Sequence, residues 1–237
     1  MLNLNRPPSF SLFLRPFSVT RRLPIRNPYK ILGFLWAPSV GEPDTIDLET
    51  LLSDAFSPEN PLVGLGSPGE AIGIGRIEAS DAEWKSQVER LASASRSIFV
   101  IPSDHEGTKW EINHLRAHSL LAKTVFVMPP KGAPDVQLNW EESRREVPIE
   151  MPPYSDTGML YTVDDDGKVR RAETLSVRTT AALVTRIRRV SNHDQTTVAS
   201  KLTDRPIFHV FGWGLTYMLL WPLLLIGLLV LFLLLIR

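Results

Sequence analysis

The sequence of 237 residues contains no cysteine, and no acidic residue precedes Glu42. Without cysteine the chain cannot form disulfides, thiolate metal sites or a cysteine nucleophile. Its 26 basic and 26 acidic residues give a formal net charge of +0, which excludes nucleic-acid binding driven by overall charge. We therefore expect no nucleic-acid partner, and no feature of the sequence identifies a cofactor.

The acid-free start of the chain is rich in proline and arginine. Because its prolines interrupt any long helix, residues 1–29 are predicted to form a disordered basic tail. The apolar stretch Phe10–Leu14 is shorter than the roughly 7 to 15 residues of a secretory signal. An organellar transit peptide and a segment attracted to anionic lipid remain as alternatives.

The longest apolar feature is an uncharged run of about 27 residues from Val210 to Ile236. Since a helix needs roughly 20 such residues to cross a bilayer, residues 207–237 are predicted to form a single transmembrane anchor after a polar linker over 191–206. Lys201 and Arg205 precede the run, and the chain shows no export signal. These features predict a membrane protein whose main domain is cytoplasmic, with the lipid bilayer as a partner.

Short apolar runs alternate with amphipathic segments between residues 30 and 131. The runs typical of buried strands are Ile31–Ala37, Leu62–Leu65, Ser97–Ile101 and Thr124–Met128. Helical periodicity predicts three helices. The first covers Thr45–Phe56, the second begins near Trp84 after a Ser80–Glu83 capping box, and the third covers Trp110–Leu121. This alternation predicts an α/β domain with a flavodoxin-like, doubly wound, mostly parallel sheet, followed by the C-terminal transmembrane helix.

Residues 132–190 are predicted to form an extension of this domain. Met159–Val163 and Lys168–Leu175 flank an Asp-Gly turn and predict a hairpin. The turn is not an EF-hand loop, because Leu175 stands where the bidentate glutamate would be required. From Thr180 to Val190 the chain has the apolar stripe of a helix that is also rich in arginine.

Asp104–Ile112 contains a loop with Gly-Thr and the start of a helix that carries a glutamate. Ala122–Val127 contains the strand that follows this helix. This pattern resembles the TIR and nucleoside 2-deoxyribosyltransferase-like superfamily. Further similarity, to membrane-associated bacterial TIR-like domains of uncharacterised function, lies at Gly66–Glu70, Asp81–Trp84 and Trp110-Glu111. The resemblance covers about Lys30 to Lys131.

The resemblance implies a catalytic role for Glu111, which would attack or stabilise the anomeric carbon of a ribosyl group in NAD or a nucleoside. With the loops expected at the ligand-binding edge of the sheet, it indicates ligand contacts from Pro38, Gly66, Ser67, Gly69, Glu70, Asp104, Gly107, Thr108 and Trp110. Thr108–Glu111 is also the T-x-x-E pattern of a capping box, so a structural role for Glu111 stays open. Asn113 replaces the small residue common in the superfamily, and no second carboxylate obviously pairs with Glu111.

Three histidines raise the question of a metal site. His114 and His118 are spaced to share one helix face, and His105 is nearby, but the sequence contains no HExxH motif. Ordinary surface histidines are the favoured interpretation, and no metal site is predicted.

Two hypotheses for the function follow. In the first, a membrane-tethered cytoplasmic TIR-like domain binds a nucleotide-type ligand, and in its enzymatic version cleaves an N-glycosidic bond in NAD or a nucleoside through Glu111. In the second, the domain is a non-enzymatic signalling adaptor that binds another copy of itself or a TIR-type partner. A third use, recognition of lipid headgroups by the basic tail and the arginine-rich helix, also remains.

Overall fold

The computed structural model describes residues 9–16, 23–26, 45–56, 60–66, 75–80, 82–132, 135–175 and 180–191. In chain order the elements are β1 (Ser11–Leu14), β2 (Pro24–Arg26), β3 (Thr45–Asp47), α1 (Leu48–Asp54), β4 (Leu62–Gly66), β5 (Gly75–Glu78), α2 (Trp84–Ala94), β6 (Ser97–Val100), α3 (Glu106–Ala117), β7 (Thr124–Met128), α4 (Val136–Glu146), β8 (Met159–Val163), β9 (Val169–Thr174) and α5 (Thr180–Ser191). A short 3-10 helix, Leu121–Lys123, leads into β7.

The main sheet has seven strands in the order β5-β4-β1-β6-β7-β8-β9, and β2 and β3 form a separate antiparallel ribbon. The first five strands of this order, β5, β4, β1, β6 and β7, are parallel. Strands β8 and β9 continue the sheet in antiparallel pairing. The predicted α/β class with a mostly parallel sheet is confirmed. Strands β4-β1-β6-β7 follow the first four places of a flavodoxin-like 2-1-3-4-5 order. The observed order departs from it because β5 is added outside β4 and antiparallel β8 occupies the fifth place.

Strand β1 lies in the interior of the sheet, although its residues belong to the segment predicted to be a disordered tail. It pairs in parallel with β4 on one side and β6 on the other, and all four of its residues are buried. The prediction of disorder for residues 1–29 is therefore wrong for Ser11–Leu14. A strand this short is stable when both neighbours complete its hydrogen bonds and helices cover both faces, a condition that composition averaged over a segment cannot reveal.

Alternate residues of the central strands enter two separate cores. Phe13 and Phe99 pack with α1 and α5 on one face of the sheet. Leu12 and Ile98 pack with α2, α3 and α4 on the other face. Helices therefore cover both faces, and the period-two alternation of the strands sends neighbouring residues to opposite cores.

The starts of α1 and α2 differ from the predicted ones. Strand β3 includes Thr45, so α1 begins only at Leu48, and Asp47 is its N-cap residue, with a carboxylate that accepts a hydrogen bond from a first-turn amide at 3.2 Å. Before α2, the Ser80 hydroxyl donates to the Glu83 carboxylate at 2.8 Å. The two side chains bond to each other rather than to helix amides, so the predicted capping box is not formed.

The predicted extension belongs to the same sheet. The hairpin is confirmed as β8 and β9, and Gly167 in its turn has a φ of 82°, a conformation that favours glycine. Helix α5 packs against this hairpin and β7. A separate domain that begins at residue 30 and ends at 131 therefore does not describe this fold, since β1 precedes that range and β8 and β9 follow it.

Several predicted segments lie outside the described residues, namely the strand Ile31–Ala37, nearly all of the linker 191–206 and the anchor Val210–Ile236. Of the helices that the structure describes, none is both long enough and apolar enough to cross a bilayer.

Candidate functional site

Glu111 lies on the buried side of α3. This helix begins at Glu106, directly after the five-residue loop Ile101–His105 that follows β6, and not at the predicted Trp110. The buried residues Thr108, Glu111, Ile112 and Leu115 fall at helical spacing, and Glu111 is 4% exposed. The helix therefore turns its one buried carboxyl group toward the protein interior.

The surroundings of Glu111 favour the neutral acid. Burial raises the pKa of its carboxyl group from 4.5 to about 8. Its Oε2 atom is buried and receives no hydrogen bond from any residue that the structure describes. At pH 7 about nine of ten such groups carry the proton. The side chain is thus a hydrogen-bond donor or general acid more often than a nucleophilic carboxylate.

Thr108 does not cap α3, because it lies within the helix. The N-cap residue is His105, whose side chain makes no capping bond. Instead, the Ser103 hydroxyl donates to the Thr108 hydroxyl at 3.1 Å, and the exposed Asp104 donates its backbone amide to Ser143 at 3.1 Å. The capping-box interpretation of Thr108–Glu111 is wrong, so helix capping does not explain the buried glutamate.

Trp110 and Gly107 face α2. The Trp110 ring meets Trp84 edge to face at 5.0 Å, and the Lys85 ammonium lies 5.2 Å from the Trp110 ring centre. A Cβ at Gly107 would lie 3.8 Å from Trp84, which is an ordinary contact. These two predicted ligand residues therefore belong to an aromatic contact between the helices, and Gly107 lies one turn before Glu111.

The aromatic contact continues along α3 through two histidines. His114 stacks on Trp110 at 5.3 Å, and His118 lies 4.1 Å from His114, measured between ring centres. Partial burial, with the charge of His118 as a smaller cause, lowers the pKa of His114. No group of three or more metal-binding side chains occurs among the described residues.

The remaining predicted ligand residues come from two other loops. Gly66 is the buried last residue of β4, and its carbonyl accepts a hydrogen bond from the Ala79 amide at 3.3 Å. Pro38, Ser67, Gly69 and Glu70 lie outside the described residues.

A second polar site, which the sequence did not indicate, lies at the carboxyl ends of β1 and β6. Arg15 directly follows β1, and Ile101 directly follows β6. Both line a cleft of about 10 Å³, enough for about one water molecule, together with Phe13, Leu23, Asp47, Leu48 and Glu49. The Arg15 guanidinium lies 2.6 Å from the Glu49 carboxylate, with the side chains only 11% and 7% exposed.

The position of this cleft is typical of ligand sites in parallel sheets. From β1 the chain continues to β4 on one side, whereas β6 lies on the other, so the strand order reverses between β1 and β6. Open α/β sheets bind ligands at such a reversal, and guanidinium groups suit phosphate and carboxylate oxygens. The signal in the sequence was an apolar run followed at once by arginine, but the run is only four residues long.

Arg15 and Glu111 belong to elements on opposite faces of the sheet. Phe13, which lines the cleft, belongs to the core under α1 and α5, whereas α3 packs on the other face. Arg15 follows β1 and Glu111 lies on the helix that follows β6, so each residue comes after one of the two strands between which the order reverses. Comparison with known protein families, with curated proteins and with solved structures gave no match to this chain.

Proposed function

We propose that this protein is a membrane-tethered, TIR-like domain that binds a nucleotide-type ligand at the carboxyl ends of β1 and β6. The observation that carries the proposal is the Glu111 carboxyl group, which is buried on the helix that follows β6 and has an oxygen that receives no hydrogen bond from the described residues. A buried polar atom in this state costs about 1–3 kcal/mol, so a fold retains it more readily when a ligand completes it.

Arg15 supplies the complementary group on the other side of the reversal. Its guanidinium can bind phosphate oxygens, and a nucleotide that crosses the crevice would present its phosphate there and its ribose or base toward Glu111. The paired Glu49 holds the guanidinium in place at 2.6 Å. The predicted contacts at Gly66, Asp104 and Thr108 belong to the same edge, because each lies at or after the end of β4 or β6.

The enzymatic version of the proposal is cleavage of an N-glycosidic bond. The bond between C1′ of the ribose and the base nitrogen breaks, the base leaves with the electron pair, and water supplies a hydroxyl group to C1′ and a proton. A protonated Glu111 suits a nucleoside base, which leaves more readily when it receives a proton. The carboxylate form suits NAD, whose nicotinamide leaves as a neutral base and needs stabilisation of the positive ribosyl group.

The two forms of Glu111 predict opposite pH profiles. If the acid is required, base release should fall as the pH rises through about 8, the pKa of Glu111. If the carboxylate is required, base release should increase over the same interval. Measuring release from NAD and from nucleosides between pH 6 and about 9.5 therefore identifies the form that acts.

The test of the proposal uses the full chain, with base release measured by chromatography and binding by equilibrium dialysis. Glu111→Gln keeps the shape of the side chain but removes its titration, and we expect it to lower release by at least about 100-fold. Glu142→Gln, an exposed carboxyl group on α4, is the matched control and should leave release unchanged. If Glu111→Gln releases base as fast as the wild type, the enzymatic version is contradicted. If Glu111→Gln also binds the ligand as well as the wild type does, the proposed site is contradicted. If no ligand binds to the wild type, the adaptor hypothesis becomes the better one.

The proposed location is the cytoplasmic side of a membrane. Its support is the uncharged run Val210–Ile236, which is long enough to span a bilayer as a helix. Alkaline carbonate extraction of cell membranes tests the attachment, since a spanning segment resists extraction and a peripheral protein does not. Protease treatment of intact and opened cells then tests on which side the domain lies.

A further inference from the structure

Two histidines of α3 form a close pair at the surface of the helix. The ring centres of His114 and His118 lie 4.1 Å apart, with an angle of 34° between the ring planes. His118 is exposed, and His114 is half-buried. Because side chains four positions apart lie on one face of a helix, the two imidazoles can approach the same external ion.

A hydrogen bond to the backbone fixes the tautomer of His118. Its Nδ1 atom lies 2.9 Å from the carbonyl oxygen of His114. Since a carbonyl oxygen only accepts, Nδ1 must donate its N–H, and in the neutral ring the lone pair then belongs to Nε2. Histidines that bind metal ions commonly donate their other ring nitrogen to a backbone carbonyl or a carboxylate. His118 is therefore arranged to present Nε2 to a metal ion.

Aromatic contacts hold the His114 ring in place. It stacks on Trp110 at 5.3 Å between ring centres, with only 17° between the planes. Trp110 in turn meets Trp84 of α2 edge to face at 5.0 Å. One nitrogen of a neutral imidazole always has a lone pair, and stacking fixes its direction in advance of binding.

Helix α2 contributes a carboxylate on the same side. Burial and the charge of His118 lower the pKa of His114, whereas the charge of Glu89 acts in the opposite direction, so this carboxylate lies within electrostatic range of the imidazole. The described side chains do not already converge into a group of three ligands. Glu89 is exposed, however, so its long side chain can turn toward the pair.

We propose that His114 and His118 bind a divalent transition-metal ion of the zinc and copper class, and that Glu89 completes a bridge from α3 to α2. Imidazole nitrogen suits these ions, whereas Mg²⁺ and Ca²⁺ take oxygen ligands. Two histidines and one glutamate are also a ligand set of zinc sites that keep one position open for water. The inference is independent of the proposed function, because the pair lies at the surface of α3 and Glu111 is on its buried side.

The experiment titrates the full chain, purified in detergent without a polyhistidine tag, with zinc chloride. Calorimetry at about pH 7.5, where an imidazole with its ordinary pKa of about 6.5 is mostly neutral, should show saturable binding of one ion per chain. Cu²⁺, which binds such nitrogen ligands more tightly, should also quench the fluorescence of Trp110, because this ring contacts His114.

Substitutions assign the ligands. His114→Gln and His118→Gln should each lower the affinity for zinc by at least about 10-fold, since loss of a group that only orients a ligand already costs about 10- to 100-fold. Glu89→Gln should lower it by about 10-fold. His105→Gln and Glu142→Gln remove one exposed residue of each type away from the pair and should leave the affinity unchanged. Circular dichroism without metal shows whether each variant is folded.

A second measurement needs no variant. Diethylpyrocarbonate modifies accessible imidazoles, and mass spectrometry identifies the modified residues. We expect zinc to protect His114 and His118 in the wild type and to leave the modification of His105 unchanged.

The other results overturn the inference in distinguishable ways. Absence of saturable binding up to about 1 mM zinc means that there is no site. Binding that neither protects the two rings nor depends on them means that the ion lies elsewhere in the chain. Binding that both histidine variants lose but Glu89→Gln retains overturns the bridge to α2. None of these results depends on base release, so failure of the proposed activity leaves the metal test unaffected.

Discussion

Replacement of Glu111 by glutamine should change how the stability of the domain depends on pH. The ordinary pKa of this carboxyl group, which applies in the unfolded chain, is 4.5, and burial raises the pKa to about 8 in the folded protein. Between these values the folded state holds a proton that the unfolded state has released. The free energy of unfolding therefore falls by about 1.4 kcal/mol for each pH unit in this interval.

The size of the effect follows from the two pKa values. By pH 7 the wild type has lost about 3 kcal/mol of stability relative to pH 4.5, and by pH 8 the loss is about 4 kcal/mol. This is large beside the usual total of about 5–15 kcal/mol for a folded protein. Glutamine does not titrate, so the Glu111→Gln protein should not share this loss.

The diagnostic quantity is the slope rather than the stability at one pH. The glutamine amide would bring its own unpartnered hydrogen-bond donors into the same buried place, which costs about 1–3 kcal/mol at every pH. This cost displaces the curve without tilting it. The two proteins should therefore diverge progressively from pH 5 to about 8, and the difference should become constant above that pH.

Denaturant unfolding at several pH values, followed by circular dichroism, provides the measurement, on a fragment that ends at Ser200, the boundary of the first compact unit. The exposed Glu142→Gln serves as the control and should reproduce the wild-type slope. Parallel curves for the wild type and Glu111→Gln would refute the reasoning, because they would mean that Glu111 is ionised in the folded protein near neutral pH.

Three further predictions concern folding and packing. A fragment that begins at residue 30 should not fold, since it lacks Ser11–Leu14, the strand that joins β4 to β6; circular dichroism would show this. Glu49→Gln should lower the free energy of unfolding by about 3 kcal/mol, because it removes the carboxylate from an ion pair whose two side chains are only 11% and 7% exposed. Gly158→Ala should cost about 2 kcal/mol or more in the same measurement, because Gly158 has a φ of 68° and a Cβ would lie 2.8 Å from the Met128 carbonyl.

Each of these predictions has a matched control. A fragment that begins at Ser9 keeps β1 and should fold. Glu106→Gln removes a carboxylate that is 91% exposed and 2.6 Å from Lys109, so it should cost less than about 1 kcal/mol. Gly75→Ala adds a Cβ at ordinary contact distance, 3.5 Å from Val63, and should change stability by about 0.5 kcal/mol or less. If the controls are as damaging as the test variants, the structural reasons given for the latter are wrong.

The sequence predicted well the elements that carry their own local pattern. β6 and β7 are short apolar runs, and the Asp-Gly turn between β8 and β9 is a local signal, so all three were placed correctly. Helix α4, in contrast, was not predicted. Its apolar side is a single fully buried tryptophan, Trp140, whose ring nitrogen donates to the Pro152 carbonyl at 2.9 Å. That contact lies beyond the helix and is not visible in its periodicity.

The candidate site was predictable only in part. Glu111 was identified from the resemblance, but its burial and its raised pKa depend on what surrounds α3. The composition around Arg15 predicts a disordered basic tail, whereas its pairing with Glu49 joins positions 34 residues apart. Such pairs form because strands bring distant segments together, which no local window of the sequence reports.

The sequence by itself determined the α/β class, the uncharged C-terminal run and the absence of cysteine chemistry, because composition and hydrophobic period depend only on local order. Only the tertiary structure decided that four residues near the start form an interior strand of the sheet, and that Arg15 pairs with Glu49 at the end of that strand. It also decided that the His114 ring stacks on Trp110, whose ring meets Trp84 of the neighbouring helix. These properties depend on strand order and burial, which are set by the packing of the whole chain.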